Sequence, residues 1–344
     1  MPLNVREGLV EIEVPEVFSK GPGKRSIAYY SRSMVISRDL TIFIIRNYLK
    51  EGGRALDLLG GSGVRGLRIE KECNMDVTIN EKNREALKFI HRNKELNGSN
   101  ARITECNAER CFPDGFYDYI DIDPYGTPVP FLDGAFKSIR NKGIIGITST
   151  DVSNLAGTNP DKTFYLYHSI PERNYLKHEV GMRILIAYVS RRAAEYGFGI
   201  EPLLSYFGGY YYRIFLRVRR GKKWAVGSLS YVQEIFGRGY FRKIGPLWIG
   251  NLHSNAEYTI PSNLESEKEI LNLLRISNDE NLLFFYSTEE LGRFSGGIMP
   301  RIDNLINRLR EQGYRASRTQ FSPVGLKTNC TLPCILKILK MKDL

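Results

Sequence analysis

Between residues 54 and 150 the chain alternates short apolar runs with longer stretches whose apolar positions recur every three to four residues. "RALDLL" (54–59) reads as a strand, and "GGSG" then turns the chain into a helix through about residue 74. "DVTIN" (76–80) is a second strand, followed by the helical "KNREALKFIHRNKELNG", which stops at Gly98 as helices commonly do. "ARITE" (101–105) is a third strand and "FYDYIDID" (116–123) a fourth. "PFLDGAFKSIRNKG" (130–143) reads as a helix closed by Gly143, and "GIIGITST" (143–150) as a fifth strand. Strands alternating with helices at this spacing predict an α/β fold with a parallel sheet covered on both faces.

A long helix over about 173–197 follows, then two strand-like runs, "IEPLLSYF" and "YYYRIFLRVRRG". The segment 222–262 is rich in Gly and aromatic residues and has weak periodicity. A boundary is therefore expected near 222, with a first domain over 1–222 and a smaller α+β domain over 223–344. In "PRIDNLINRLREQG", Ile302, Leu305, Ile306 and Leu309 share one helical face. Pro300 opens this helix and Gly313 closes it, as cap preferences predict. With "STEELGRF" ahead and "YRASRT" behind, the order helix, helix, strand is winged-helix-like.

Length supports the two-domain reading, since 344 residues exceed most single domains. The opening "MPLNVREGLVEIEVPEVF" has no apolar core of a secretory signal. No run of about 18 apolar residues occurs, so no spanning helix is expected. A cytoplasmic setting follows, with the five cysteines as buried or incidental reduced thiols and no metal site. Net charge is +11, and its distribution matters more than its size. Residues 201–250 carry 9 basic and 2 acidic side chains, and residues 301–344 carry 9 and 3. Residues 251–300 are acidic, with 3 against 8. Positive charge gathered in two blocks is the footprint of a polyanion-binding surface, with nucleic acid the expected partner.

Three stretches could carry chemistry. In "DLLGGSGVRG" (57–66), Gly61, Gly63 and Gly66 satisfy G-x-G-x-x-G after a strand and before a helix. Such glycines let the backbone approach a bound cofactor, although tight strand-to-helix turns also use them for steric reasons. Glu81 ends the next strand, where a carboxylate can accept both hydroxyls of a ribose. Nicotinamide dinucleotides and S-adenosylmethionine both suit this geometry. Asp57 tilts the choice to the second, because it suits a cationic amino group and would repel a pyrophosphate. Asn107 and Ala108, in "NAE" after the third strand, fall where an adenine edge would sit.

The second stretch is "DIDPYGTP" (121–128), behind the apolar run of the fourth strand. Asp123, Pro124, Tyr125 and Gly126 bring a carboxylate, a rigid turn and an aromatic ring together. An exocyclic amine on a nucleobase is a poor nucleophile, because its lone pair is delocalised into the ring. A carboxylate accepting its N–H shifts density to nitrogen and can take the proton. An aromatic face stacks the base and orients it. The third stretch is "YYYRIFLRVRRGKK", where Tyr211, Arg213, Phe215, Arg217 and Arg219 share one strand face at period two. That face is expected to meet phosphates or bases. His168 and His178 have no serine or cysteine elbow at usable spacing, so a hydrolase triad is not expected.

Seven segments in order resemble the tRNA (guanine-N2)-dimethyltransferases that modify the guanine at position 26, in their archaeal form. They are "YYSRSMVISRDL", "ALDLLGGSGVRGLR", "DIDPYGTPVPFLDGA", the "TSTD" region, "HEVGMRILIAYVSRRAAEYGFGIEPLLSYF", "GPLWIGNLH" and "SRTQFSPVGLKT", and they span nearly the whole chain. The resemblance implies a class I S-adenosylmethionine-dependent methyltransferase sheet with a family-specific C-terminal domain that binds tRNA. It implies that residues 1–50 contribute to the site. By position, Arg38 would bind the carboxylate end of S-adenosylmethionine, and Arg65 would lie in its loop with Gly61. Glu81 would hold the ribose, and Asn107 and Ala108 the adenine side. Asp123 would engage the guanine amine, with Pro124 shaping the turn and Tyr125 and Tyr29 flanking the base. The chain departs from the family at Ser31 and Arg32, where an Asn-Pro is usual, in "GGS" for Ser-Ala-Thr, in Tyr125 for Phe, and in Ala156 for a frequent cysteine. Zinc-binding cysteines carried by some members have no counterpart here.

Two other readings compete. A nicotinamide-dependent oxidoreductase is supported only by the glycine motif. A non-catalytic RNA-binding protein is supported by the charge blocks alone. No protein partner is indicated, and oligomeric state and the balance of one against two methyl groups are not legible.

Overall fold

The computed structural model describes residues 2–18, 27–110, 112–236, 243–296 and 299–340. The chain opens with strands β1 (Leu3–Glu7) and β2 (Val10–Val14) and helix α1 (Val35–Tyr48). Next come β3 (Arg54–Asp57), α2 (Val64–Cys73), β4 (Asp76–Asn80), α3 (Arg84–Leu96) and β5 (Arg102–Thr104). They are followed by β6 (Tyr117–Ile122), α4 (Leu132–Ser138), β7 (Ile139–Ser149), α5 (Val152–Leu155), α6 (Pro160–Tyr167) and α7 (Lys177–Glu195). The hairpin β8 (Phe198–Phe207) and β9 (Tyr212–Arg220) precedes α8 (Lys222–Leu229), β10 (Val232–Phe236) and β11 (Lys243–Trp248). The remainder is α9 (Glu267–Glu280), β12 (Tyr286–Ser287), α10 (Thr288–Ser295), α11 (Ile302–Glu311), β13 (Ala316–Thr319), β14 (Ser322–Thr328) and α12 (Leu332–Lys340).

Two compact units emerge. The first comprises Met1–Asp151, Val189–Ser230 and Ala256–Leu271, and the second Val152–Tyr188, Tyr231–Asn255 and Asn272–Leu344. Residue 222 begins α8 inside the first unit, so the chain crosses between units more than once rather than at a single linker.

The first unit is built on a seven-stranded sheet in the order β5-β4-β3-β6-β7-β9-β8. Strands β3 to β7 run parallel, and β9 lies antiparallel between β7 and β8. From β3 the chain builds outward on one side through β4 and β5, then returns to β3 and builds the other side through β6 and β7. The carboxyl ends of β3 and β6 flank that reversal, where open parallel sheets form a ligand crevice. The apolar runs of β3 and β6 are buried on both faces, as parallel strands under helices require.

Two expectations change here. The helix predicted over 130–143 ends at Ser138, and Ile139 already pairs with Tyr117 in β7. Gly143 is a strand residue rather than a helix stop; a Cβ there would meet Asp118 O at 3.0 Å. The basic strand face is the larger correction. Strand β9 is flanked on both sides, and Tyr211, Arg213 and Phe215 are buried. Arg217 and Arg219 are half-buried, lying 4.8 Å and 4.7 Å over the rings of Tyr48 and Trp224, and Arg219 also pairs with Glu201 at 3.1 Å. Alternation along β9 is real, but both of its faces are covered.

In the second unit, β12, α10, α11, β13 and β14 follow one another and the sheet order is β12-β14-β13, which is the winged-helix arrangement anticipated from 288–319. Its core gathers Leu291, Leu305, Leu309, Leu326 and Ile335. Beside it, buried Glu179 accepts from Arg183 at 2.9 Å, from Lys327 at 2.8 Å and from the Phe284 N–H at 3.0 Å. Lys327, in the basic C-terminal block, is thus an internal ion-pair partner. Cys73, Cys330 and Cys334 are free thiols, whereas Cys106 is disulfide-bonded, which corrects the expectation of reduced thiols throughout. Cys111 lies outside the described residues. Among the described residues no helix is long and apolar enough to cross a membrane.

Candidate active site

Strand β3 delivers Asp57 to the crevice, and the next residues turn tightly into α2. Gly63 caps that helix at φ +81°, in the left-handed region that favours glycine. At Gly66 a Cβ would lie 2.5 Å from Ile79 Cγ1, so glycine lets α2 pack directly on β4. The Gly66 N–H donates to Asp57 Oδ2 at 3.0 Å. The glycine spacing therefore works as the motif predicts, bringing a helix N-terminus close to a strand end.

A cavity of about 360 Å³ opens at this edge. Its lining includes Tyr29, Arg38, Asp57, Gly61, Arg65, Glu81, Asp123, Pro124 and Tyr125. Nine of the eleven residues proposed from sequence thus meet in one place. Asn107 and Ala108 are not among the described lining residues; their neighbour Glu109 is. Asn107 Oδ1 instead accepts the Glu109 N–H at 3.3 Å within the turn. The volume falls within the usual range for small-molecule sites.

Electrostatics divide the cavity. On one wall Glu81 is held by three backbone donors: Lys82 N–H at 2.8 Å and Asn83 N–H at 2.9 Å on Oε1, and Gly61 N–H at 3.0 Å on Oε2. Burial lifts the Asp57 carboxyl to about 7, and Asp121 adds to the rise. Asp57 is thus a buried acid that a cationic group would stabilise in its charged form. Arg38 is gripped by Glu7, with Nε donating to Oε1 at 2.7 Å and Nη2 to Oε2 at 2.6 Å. Against opposing burial, Arg38 holds the Glu7 carboxyl down to about 2. The N-terminal strand β1 therefore supports the site through Glu7, which no sequence motif singled out.

The opposite wall is the loop after β6. The Gly126 N–H donates to Thr150 Oγ1 at 2.6 Å, and the Thr150 N–H returns to Gly126 O at 3.0 Å. These bonds clamp Asp123, Pro124 and Tyr125 at the mouth. Tyr125 is 53% exposed and meets Tyr29 edge-on at 5.4 Å between ring centroids, while Phe18 stacks on Tyr29, also at 5.4 Å. Burial raises both tyrosine phenols, so they remain neutral aromatic walls. Behind them Asp123 Oδ2 accepts from Arg65 Nη2, and Arg65 Nε lies 3.2 Å from Asp121 Oδ1. Asp121 in turn is bracketed by Arg213 and the Tyr119 hydroxyl. Arg65, expected in the cofactor loop, is thus also the partner of Asp123.

Asp121, Glu7 and Thr41 escaped the reading of the sequence, and Arg213, read there as facing phosphates or bases, is instead the buried partner of Asp121. Asp121 and Arg213 carried a usable signal, since a charge inside an otherwise apolar strand requires a buried partner of opposite sign. Tyr210 joins the lining, its hydroxyl 2.6 Å from Ser33 Oγ.

The residues present fit S-adenosylmethionine. Asp57 awaits a cation, Arg38 is a guanidinium at the same cavity, and Glu81 has its oxygens aimed by backbone N–H groups. A family model described as N2,N2-dimethylguanosine tRNA methyltransferase matches residues 8–237 and 230–340. A tRNA (guanine(26)-N(2))-dimethyltransferase from Thermoplasma acidophilum is 40% identical over 95% of this chain and 94% of its own. One of the same name from Pyrococcus abyssi is 32% identical over 98% of both chains. Trm1 from Pyrococcus horikoshii, solved in complex with S-adenosyl-L-methionine, superposes with a TM-score of 0.86 at 29% identity, covering 98% of this chain and all of that one. The sheet order, the crevice and these likenesses agree on a class I S-adenosylmethionine-dependent methyltransferase fold with a C-terminal domain, and the chain belongs to the N2,N2-dimethylguanosine tRNA methyltransferase family.

Proposed function

We propose that this chain transfers methyl groups from S-adenosylmethionine to the exocyclic N2 amine of guanine 26 in tRNA, giving N2-methyl- and N2,N2-dimethylguanosine, with Asp123 as the base. The observation that carries this reading is the carboxylate of Asp123 at the cavity mouth. Its Oδ2 is anchored by Arg65, its Oδ1 takes no hydrogen bond from a described residue, and Tyr125 and Tyr29 flank it.

When bound, S-adenosylmethionine supplies a methyl group on a sulfonium sulfur. Glu81 accepts the ribose hydroxyls, Asp57 faces the ammonium and Arg38 the carboxylate end, with Gly61 in the loop and Asn107 and Ala108 on the adenine side. Tyr125 and Tyr29 hold the flipped guanine by stacking, worth about 1–3 kcal/mol per base–aromatic contact. Asp123 Oδ1 accepts an N–H of the amine, which raises electron density on nitrogen, and takes that proton as the bond forms. Pro124 stiffens the turn that carries it. The chemistry lies in residues 1–222. Residues 223–344, apart from 223–230 and 256–271 which pack with the first unit, dock tRNA. The protein works in the cytoplasm. A nicotinamide dinucleotide is disfavoured by Asp57, which would oppose a pyrophosphate.

The test is mass spectrometry of nucleosides from unmodified tRNA incubated with the protein and S-adenosylmethionine. Methylated guanosine lost on replacing guanine 26 is expected. Methylation that persists without guanine 26, or none at all, would overturn the reading.

A further inference from the structure

We propose that Arg213 and Thr41 are positioning residues for methyl transfer, acting through Asp121 and Arg65 to hold the Asp123 carboxylate in one orientation. The inference rests on the reading of Asp123 as the base.

Charges alternate along a buried line: Arg213, Asp121, Arg65, Asp123. Arg213 and Asp121 are fully buried and Arg65 is 5% exposed. Arg213 Nη1 donates to Asp121 Oδ1 at 3.2 Å and to Thr148 Oγ1 at 3.0 Å, and its Nη2 donates to Asp121 Oδ2. Thr41 Oγ1 ties the two guanidiniums together, accepting from Arg65 Nη1 at 2.7 Å and from Arg213 Nη2 at 2.8 Å. Space for the line is reserved by Gly146, where a Cβ would lie 2.3 Å from the Tyr119 hydroxyl and 2.8 Å from Arg213 Nη2.

Stability alone is a poor reason for such a line. Desolvating each ion costs several kcal/mol, and apolar replacements of buried ion pairs are often as stable or more so. The line also ends at the cavity, on one oxygen of the reacting carboxylate. A carboxylate pinned at Oδ2 presents Oδ1 in a narrow range of directions, which is what alignment with a weak nucleophile needs. Arg65 is shared, so Asp121 still holds it when Asp123 takes the amine proton. Against the opposing effect of burial, Arg213 and then Arg65 keep the Asp121 carboxyl below its ordinary value, so that support stays charged.

The experiment compares wild type with Thr41→Val, Arg213→Lys and Arg213→Met, with Asp123→Asn alone and combined with Thr41→Val. The readouts are single-turnover methyl transfer to tRNA, the KM for tRNA, and calorimetric binding of S-adenosylhomocysteine. Thr41→Val is expected to slow transfer by about 10- to 100-fold, with KM and cofactor affinity within about twofold. Arg213→Lys is expected to fall between wild type and Arg213→Met. In the Asp123→Asn background Thr41→Val should cost nothing further, because its effect passes through the missing carboxylate. If Arg213→Met does not fold, the threonine and lysine variants decide. Wild-type rates in folded Thr41→Val and Arg213→Lys, beside an inactive Asp123→Asn, would overturn the positioning role and leave the base assignment standing. Rate, KM and cofactor affinity weakening together would also overturn it, as a general loss of structure. A wild-type rate in Asp123→Asn would overturn the base assignment and this inference with it.

Discussion

Arg65 Nη2 donates to Asp123 Oδ2 while its Nε lies 3.2 Å from Asp121 Oδ1. One guanidinium thus joins the carboxylate at the cavity mouth to one that is wholly buried. Removing Asp123 leaves Arg65 a partner, so substitutions there test chemistry rather than folding.

Asp123→Ala should lower methyl transfer by about 10²–10⁴-fold, the usual worth of one positioned acid–base group. Binding of S-adenosylhomocysteine should stay close to wild type. Single-turnover rates set beside calorimetry check both halves, and a near wild-type rate would remove Asp123 from the mechanism.

Glu81→Ala should weaken S-adenosylmethionine and S-adenosylhomocysteine equally, since it touches only their shared ribose. The loss should be on the order of 1.5–3 kcal/mol, or one to two decades in affinity. The Gly61, Lys82 and Asn83 N–H groups also lose their acceptor. Unchanged affinity by calorimetry would mean that Glu81 serves only to cap this turn.

Asp57 makes cofactor affinity depend on pH. With its carboxyl lifted to about 7, mainly by burial, Asp57 is neutral below that pH and ionised above it. A cationic ligand favours the ionised form, so S-adenosylmethionine should bind more tightly as pH rises from 6 to 8 and then level off. The stability sign runs the other way. A carboxyl whose folded value is raised stabilises the fold at low pH, and that contribution fades as pH rises through 7. Asp57→Asn should flatten the binding profile and raise the midpoint of thermal unfolding at pH 8. A binding profile unchanged in Asp57→Asn would exclude Asp57 from the cation site.

Arg217 and Arg219 should matter for stability rather than for RNA. Their guanidiniums lie over Tyr48 and Trp224, contacts worth about 0.5–1 kcal/mol each at exposed sites. The double alanine variant should unfold at lower denaturant, while tRNA affinity keeps its wild-type dependence on salt. A flatter salt dependence would show that these side chains neutralise phosphates.

The sheet was legible because each parallel strand must be apolar along its length and each crossover helix amphipathic. "RALDLL", "DVTIN" and "FYDYIDID" carry that signal without ambiguity. The glycines before α2 and the acids Asp57, Glu81 and Asp123 were legible as well, because strand ends and tight turns constrain residue type locally. The end of α4 was not, since Ile139 joins β7 through pairing with Tyr117, a neighbour distant in sequence.

Local chain chemistry alone therefore determined that this protein has an α/β sheet, a glycine turn suited to a cofactor, and a carboxylate beside an aromatic ring at a strand end. Tertiary structure decided what surrounds them. Period two in "YYYRIFLRVRR" established which residues share a face, but only the placement of β9 between β7 and β8 decided that Arg213 is buried against Asp121. The same holds for Arg65, whose partners arrive from α1 and β6, and for Glu7, which reaches Arg38 from β1. Alternation and spacing follow from backbone geometry within a few residues, whereas the partner of a charge is chosen by which distant segments are packed against it.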